Sequence, residues 1–294
     1  ETWRTLLQEA TDEDSSKIRE MYVAHANVVG TTCVASARPE FTNSFDAFDT
    51  VIIDEVSKAT PPELLLPMLK GKQIILVGDH HQLPPLLGDD TLEETMAQML
   101  LANPSLEGKK EIAQLLKESL FERLFKQLPA THKQMLAIQY RMHDQIMQSI
   151  APFYADEAGG LQCGLQDSDS ERDHGLTTTY FKRDNHLVWL DTPSTEAYYE
   201  QRVVNGTSRY NDGELATIKR VLIETNEAVA EAKQAGSIPL NEQKTVGVIS
   251  FYGEQVKRLT RLVEQEVALP HLLIRTGTVD KFQGMEMDIV MVSM

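Results

Sequence analysis

The sequence is poor in several things. It has only two cysteines, Cys33 and Cys163, far apart and with no metal or redox spacing. That excludes a disulfide-stapled scaffold and a cysteine-built zinc site, and it fits a reducing, cytoplasmic setting with buried thiols (or the nucleus in a eukaryote). No apolar run is long enough to span a bilayer and no signal peptide is visible, so no membrane partner is expected. Positive charge is also short: 28 Lys and Arg against 44 Asp and Glu leave a net charge of −16. This argues against a broadly basic polyanion-binding surface, although a local basic channel remains compatible with it. A hydrophobic content of 41% is enough for real cores, and 294 residues allow two domains. The chain opens at Glu1 without an initiator Met and stops inside the apolar run Asp288–Met294, so it is expected to be a piece of a larger protein.

Against these absences stands the stretch from Asp49 to Pro85. Asp49-Thr50-Val51-Ile52-Ile53-Asp54-Glu55 and Gln73-Ile74-Ile75-Leu76-Val77-Gly78-Asp79-His80-His81-Gln82 are short β-branched runs that end in polar residues. Runs of this length and composition read as strands buried on both faces of a parallel sheet. Ligands of open α/β sheets lie at the carboxyl ends of the strands, so Asp54, Glu55, Asp79 and Gln82 are expected to converge on one crevice. Two adjacent acids there suit phosphoryl chemistry: Asp54 can hold Mg²⁺, Glu55 can deprotonate a water, and Gln82 can sense a terminal phosphate. The plainer alternative is that Asp54 and Glu55 cap the following helix. Pro61-Pro62-Glu63 suits the first turn of that helix.

Further along, Ala26–Cys33 reads as a strand ending in Thr31-Thr32, and Ser119–Leu124 as an amphipathic helix. Gln139-Tyr140-Arg141-Met142-His143 is the polar exit of a strand beginning at Met135. Asp167–Thr179 reads as a surface loop, Leu187–Pro193 as a strand and turn, and Ser208–Glu214 as a helix entry with acids in its first turn. Ala228–Gly236 reads as a solvated helix end, Thr245–Gln255 as a buried strand leading into a helix, and Thr91–Lys110 as an acidic loop.

The segment Asp54-Glu55-Val56-Ser57-Lys58-Ala59-Thr60, with the Gly78–Pro85 exit, resembles motifs II and III of superfamily 1 helicases, in the branch of the nonsense-mediated-decay helicase. Val56 and Lys58 depart from the usual form, but neither is one of the two acids. Gln139–His143 resembles motif IV residue for residue. Thr278-Val279-Asp280-Lys281-Phe282-Gln283-Gly284-Met285-Glu286-Met287-Asp288 resembles motif V with every fixed residue present. Tyr252 and Gln255 are similar to the branch's Thr-Pro-Tyr-x-x-Gln segment, with Ser250 and Phe251 replacing Thr-Pro.

The resemblance implies an α/β fold of two RecA-like, P-loop-NTPase-type parallel-sheet lobes. The first is incomplete and covers residues 1–128; most of the second covers 129–294. It implies an ATP-dependent helicase or translocase on single-stranded DNA or RNA, with 5′-to-3′ polarity, using ATP and Mg²⁺, and with no obligate oligomer. By resemblance Arg141 reaches the terminal phosphate, Tyr140 packs on the base, and Gly284 and Glu286 lie against the nucleotide. Thr31, Thr32, Tyr252 and Thr278 lie along the nucleic acid. The Gly-x-x-x-x-Gly-Lys-Ser/Thr phosphate loop is not in the sequence, since Gly108-Lys109-Lys110 lacks the first Gly and the hydroxyl. Weak or absent nucleotide binding is therefore expected of this chain alone. Two other readings remain: an ATPase-like switch or scaffold that binds protein partners, which the acidic charge favours, and a nucleotide kinase, which has no use for motifs IV and V.

Overall fold

A computed structural model of the chain describes residues 18, 21–23, 25–85, 118–157, 159–204 and 206–294. The Thr91–Lys110 stretch and most of Glu1–His25 lie outside the described residues. The chain divides into two compact units, one ending at Gln134 and the other beginning at Met135. The sequence reading put the division between 128 and 129. A short 3₁₀ turn at Ala130–His132 follows the last helix of the first unit, and Lys133 Nζ donates to Phe125 O at 2.8 Å and lies over the Phe125 ring. These contacts tie the connecting residues back to the first unit.

In the first unit, helix α1 (Pro39–Ser44) precedes strand β1 (Phe48–Ile53), helix α2 (Pro61–Met68) and strand β2 (Gly71–Leu76). β1 and β2 pair in parallel, with Ile53 opposite Leu76, the arrangement a β-branched run joined by a crossover helix favours. α2 starts where the prolines indicate, and Thr60 and Glu63 close a capping box over its first turn. Helix α3 (Leu120–Gln127) starts at Ser119, whose hydroxyl accepts from Glu122 N at 3.3 Å. Ile53, Val56, Leu64, Leu120 and Phe121 form the core. Burial on both faces is not observed, because Ile52 is 65% exposed and Ile75 and Val77 are also exposed. Among the described residues, alternate positions of these strands meet the helices. The expected strand at 26–33 is absent: these residues are turn and irregular backbone, and Val28 is 91% exposed. No strand among the described residues pairs with them.

The second unit begins with the short parallel pair β3 (Ile138–Gln139) and β4 (Gln162–Cys163), with helix α4 (Asp144–Ile150) between them. Of the strand read from Met135, only two residues are paired. The one-turn helix α5 (Ser168–Glu171) follows, and then the antiparallel pair β5 (Gln201–Arg202) and β6 (Arg209–Tyr210). Helix α6 (Asp212–Gln234) is the longest element of the unit. It starts where Asn211 Oδ1 accepts from Glu214 N at 3.1 Å. Strand β7 (Lys244–Ser250), helix α7 (Gly253–Arg261) with a π-helical turn at Leu262–Glu266, strand β8 (Leu272–Gly277), helix α8 (Val279–Phe282) and strand β9 (Ile289–Ser293) complete it. The sheet order is β8-β7-β9, all parallel, so the central strand is β7, whose Val246 and Val248 are fully buried.

Ile218, Leu222, Val229 and Ala232 repeat at helical spacing and pack on Val246, Val248, Leu259, Leu262 and Leu272. The end of α6 is therefore not solvated: Ala228, Val229, Ala232 and Lys233 are buried. The 167–179 stretch is not a plain surface loop either. It contains α5, and Leu176, 1% exposed, joins the main core. Leu187–Pro193 forms no strand among the described residues, and Trp189 is 75% exposed. The two thiols are free and half-buried rather than buried; desolvation, and then the charge of Glu63, push Cys33 above the ordinary thiol range.

Candidate functional site

In the first unit Asp54, Glu55 and Gln82 follow the carboxyl ends of β1 and β2, whereas Thr31 and Thr32 precede β1. The parallel pairing continues past the strands, with Val77 N donating to Ile53 O at 2.8 Å and Val56 N to Val77 O at 3.2 Å. This holds Asp54-Glu55 beside Gly78-Asp79. Ser57, buried behind the acids, accepts from Asp79 N at 2.7 Å. Asp79 organises the exit of β2 in turn: Oδ1 accepts from His81 N at 3.0 Å and Oδ2 from Gln82 Nε2 at 2.9 Å. Gln82 is thus oriented by Asp79, a partnership the motif alone did not specify.

Asp54 and Glu55 are both exposed. Asp54 Oδ1 accepts from Glu55 N at 2.9 Å, which orients the carboxylate across the strand end. An exposed, oriented carboxylate at the end of a parallel strand fits a hard cation such as Mg²⁺. Among the described residues, Glu55 is the one non-glycine residue with a positive φ, 55° with ψ 38°. An L-residue held in the left-handed region costs about 1–2 kcal/mol, and such strain gathers at functional positions. Neither acid caps the next element by its side chain: the short 3₁₀ turn at Val56–Lys58 has no side-chain cap, and α2 is capped by Thr60 and Glu63. Thr31 and Thr32 are exposed, and their bonds are local: Thr31 Oγ1 donates to Thr32 O at 3.4 Å, and Thr32 Oγ1 accepts from Ala35 N at 3.2 Å.

In the second unit the motif IV and motif V segments meet. Arg141 Nε lies 2.6 Å from Glu286 Oε1, with both side chains about two-thirds exposed (65% and 66%). An ion pair this open contributes only about 0–1 kcal/mol, so a competing anion can displace the carboxylate. Tyr140 is 63% exposed, and its ring rests on Gly164, where a Cβ would come within 2.4 Å of Cε1. Gln139 shapes the turn from inside, with Oε1 accepting from Arg141 N at 2.9 Å and Met142 N at 2.8 Å.

His143 is 4% exposed and caps α4, its Nδ1 accepting from Gln145 N at 3.1 Å. That bond places the ring proton on Nε2, which donates to Asp169 Oδ1 at 2.8 Å. His186 stacks on His143 at 3.6 Å. Asp169 and His186 could suggest a metal cluster with His143, but the fixed tautomer turns an N–H, not a lone pair, towards it. Burial is the largest of the causes that push His186 below the ordinary imidazole range.

Tyr252 and Thr278 stand at the carboxyl ends of the neighbouring parallel strands β7 and β8, each half-buried at the start of a helix. The Phe282 ring lies on two glycines, Gly247 and Gly277, where added Cβ atoms would meet it at 2.7 and 3.1 Å. This packs the motif V helix α8 onto the sheet. Gly284 has φ +77°, and a Cβ there would meet nothing within 4 Å. The left-handed backbone, rather than crowding within the chain, calls for glycine at this position.

Two motif residues turn out to be struts. Gln255 is 2% exposed; its Oε1 accepts from Asn211 N at 3.0 Å and its Nε2 donates to Ser293 Oγ at 2.9 Å, joining α7, α6 and β9. Asp288 Oδ2 accepts from Thr245 N and Oγ1, both at 2.7 Å, at the start of β7. Burial alone would raise the Asp288 carboxyl, but the Thr245 bonds and Lys244 outweigh it and hold it below the ordinary carboxylate range.

Residues 116–294 match the model of an AAA domain family, and residues 2–88 match a second AAA domain model. The chain belongs to the AAA domain family. Within it the chain is a superfamily 1 helicase segment of the nonsense-mediated-decay branch. It is 28% identical, over its whole length, to 41% of the DNA polymerase alpha-associated DNA helicase A of Saccharomyces cerevisiae. It is 29% identical to Regulator of nonsense transcripts 1 of Dictyostelium discoideum, over 91% of this chain and 17% of that one. It is 28% identical to the human DNA replication ATP-dependent helicase/nuclease DNA2, over 94% of this chain and 24% of that one. The AAA domain chain thus spans well under half the length of these relatives. Among its described residues no helix is long and apolar enough to cross a membrane.

Proposed function

We propose that the protein containing this chain is an ATP-dependent helicase or translocase that moves along single-stranded DNA or RNA, with 5′-to-3′ polarity. The observation that carries the reading is the contact between Arg141 and Glu286, which joins the motif IV and motif V residues at one exposed point of the second unit. In this reading Units 1–128 and 129–294 belong to two RecA-like lobes, with Gln134 as the observed limit of the first unit.

Asp54 would hold Mg²⁺, which supplies charge neutralisation at the phosphates. Glu55 takes the proton of the attacking water, and Gln82, oriented by Asp79, meets the terminal phosphate. The Arg141 fork leaves Glu286 to neutralise the transferring phosphoryl group, and the freed Glu286 carboxylate accepts from ribose hydroxyls. Tyr140 offers its open face to the base, and Gly284 leaves space for the nucleotide. Thr31, Thr32 and Thr278 donate to the nucleic-acid backbone, and Tyr252 stacks on a base. Backbone contacts of this kind serve DNA and RNA alike.

The test is strand displacement by the full-length protein on DNA and RNA duplexes carrying a 5′ or a 3′ single-stranded tail. ATP-dependent displacement from 5′-tailed duplexes alone is the expected result. Displacement from 3′ tails alone would overturn the polarity. Absence of displacement from all of them would favour the partner-binding switch, which the net charge of −16 also suits.

A further inference from the structure

The turn that carries Tyr140 and Arg141 lies outside any sheet, since β3 ends at Gln139. Its backbone polar groups are held by side chains instead. Gln139 takes the Arg141 and Met142 N–H groups from one side. On the other side stands Arg172, the residue that ends α5. Its Nε donates to Arg141 O at 2.8 Å, its Nη2 donates to Tyr140 O, and its Nη1 donates to Glu171 O at 2.9 Å. Three residues earlier, Asp169 accepts from His143 Nε2 at the other end of the same turn. The four-residue helix α5 therefore grips the segment from Tyr140 to His143 at both ends.

We propose that Arg172 is a positioning residue for Arg141 and Tyr140, acting through their carbonyls and not on the nucleotide. The inference rests on the reading of Arg141 as a phosphate-facing residue. Its chemistry is specific to arginine: the Nε and Nη2 hydrogens lie on one edge of a rigid plane and meet two successive carbonyls together, which a lysine ammonium on a flexible stem does not reproduce. The Arg141 side chain is itself exposed and, among the described residues, held by an open ion pair alone, so the direction in which it leaves the backbone is set by this grip. A misplacement of about 1 Å in a group acting on a transition state can cost as much as about 100-fold in rate.

The experiment is a double-mutant cycle in the full-length protein, read as nucleic-acid-stimulated ATP hydrolysis, with amide hydrogen exchange measured on the same variants without nucleotide. Arg172→Ala is expected to lower kcat at least about 10-fold, and Arg172→Lys to restore little of it. In an Arg141→Ala background, Arg172→Ala is expected to change kcat by less than about twofold, because residues acting as one unit are not additive. Exchange at the Arg141 and Met142 amides is expected to rise in Arg172→Ala while that of β7 stays as in the wild type. The proposal is overturned if the two losses multiply, if Arg172→Ala keeps wild-type kcat while Arg141→Ala does not, or if exchange at these amides is unchanged. If Arg141→Ala itself hydrolyses ATP at the wild-type rate, the phosphate-facing role of Arg141 fails, and the exchange measurement decides alone whether Arg172 holds the turn.

Discussion

Glu55 concentrates the argument at the scale of single residues. Its left-handed backbone is a cost the fold sustains immediately after β1, at the acid assigned to water activation. Glu55→Gly removes the steric part of that cost and the carboxylate with it. The variant is expected to unfold at a denaturant midpoint no lower than wild type while its ATP hydrolysis is abolished, a combination that denaturant titration and a hydrolysis assay on the full-length protein read directly. Asp288 behaves in the opposite sense. Its folded carboxyl is held below the ordinary range, so its stabilisation is present above the unfolded value, about 4, and is lost as pH falls through the folded value. Asp288→Asn is expected to be less stable than wild type at neutral pH, with the gap closing below about pH 4. Urea midpoints of both proteins across that range check it. As candidates, the two acids and the Tyr140-Arg141 pair of motif IV were readable because each pair lies where apolar sequence changes abruptly to polar. Their partners were not: Glu286 is far from Arg141 along the chain, and nothing local in the sequence marks Asp79 as the residue that orients Gln82.

At the scale of elements, the sequence reading succeeds where a helix start carries its own cap. Thr60 with Glu63, Ser119 and Asn211 all do what their residue types dictate. Asn211 does more, since its Nδ2 also donates to Tyr198 O and its backbone N–H to the buried Gln255. Asn211→Ala is expected to destabilise the second unit by roughly 1–2 kcal/mol, detectable as faster amide exchange in the first turns of α6. The reading fails where an element depends on what lies beside it. The run at 26–33 has strand-like residues, but no described strand pairs with it. The runs before Asp54 and Asp79 are continuous in hydrophobicity, yet among the described residues one of their faces meets the helices and Ile52 on the other is exposed. The end of α6 looks solvated because the stretch is rich in alanine and polar residues, but its apolar stripe packs with Val246 and Val248 of β7. The 167–179 stretch looks like surface because charge and small residues dominate it, and one leucine, Leu176, anchors it in the core. Glycine is equally opaque in sequence: Gly247 is there to receive the Phe282 ring, and Gly247→Val is expected to displace α8 and expose Phe282, seen as increased exchange at Val279–Gly284 with β9 still protected.

At the scale of the whole molecule, a net charge of −16 is compatible with the proposed polyanion-handling chemistry because the groups assigned to the nucleotide and the nucleic acid are few and local. Asp54, Glu55, Gln82, Tyr140, Arg141, Tyr252 and Thr278 follow the carboxyl ends of parallel strands, as ligand-facing groups of open α/β sheets commonly do, whereas Thr31 and Thr32 stand on irregular backbone and Gly284 and Glu286 lie between α8 and β9. The chain belongs to the AAA domain family but spans only part of its relatives' length, so the full-length protein is where its activity is to be measured. Glu55 is proposed to activate water in a nucleotide hydrolysis coupled to single-stranded nucleic acid. The most direct test is ATP hydrolysis by the full-length protein, wild type against Glu55→Gln, with single-stranded DNA and single-stranded RNA as separate stimulants. Strong stimulation of the wild type by at least one polymer is expected, with hydrolysis in Glu55→Gln lower by at least about 100-fold. A wild type that hydrolyses no ATP with either polymer, or a Glu55→Gln variant as active as wild type, would contradict it.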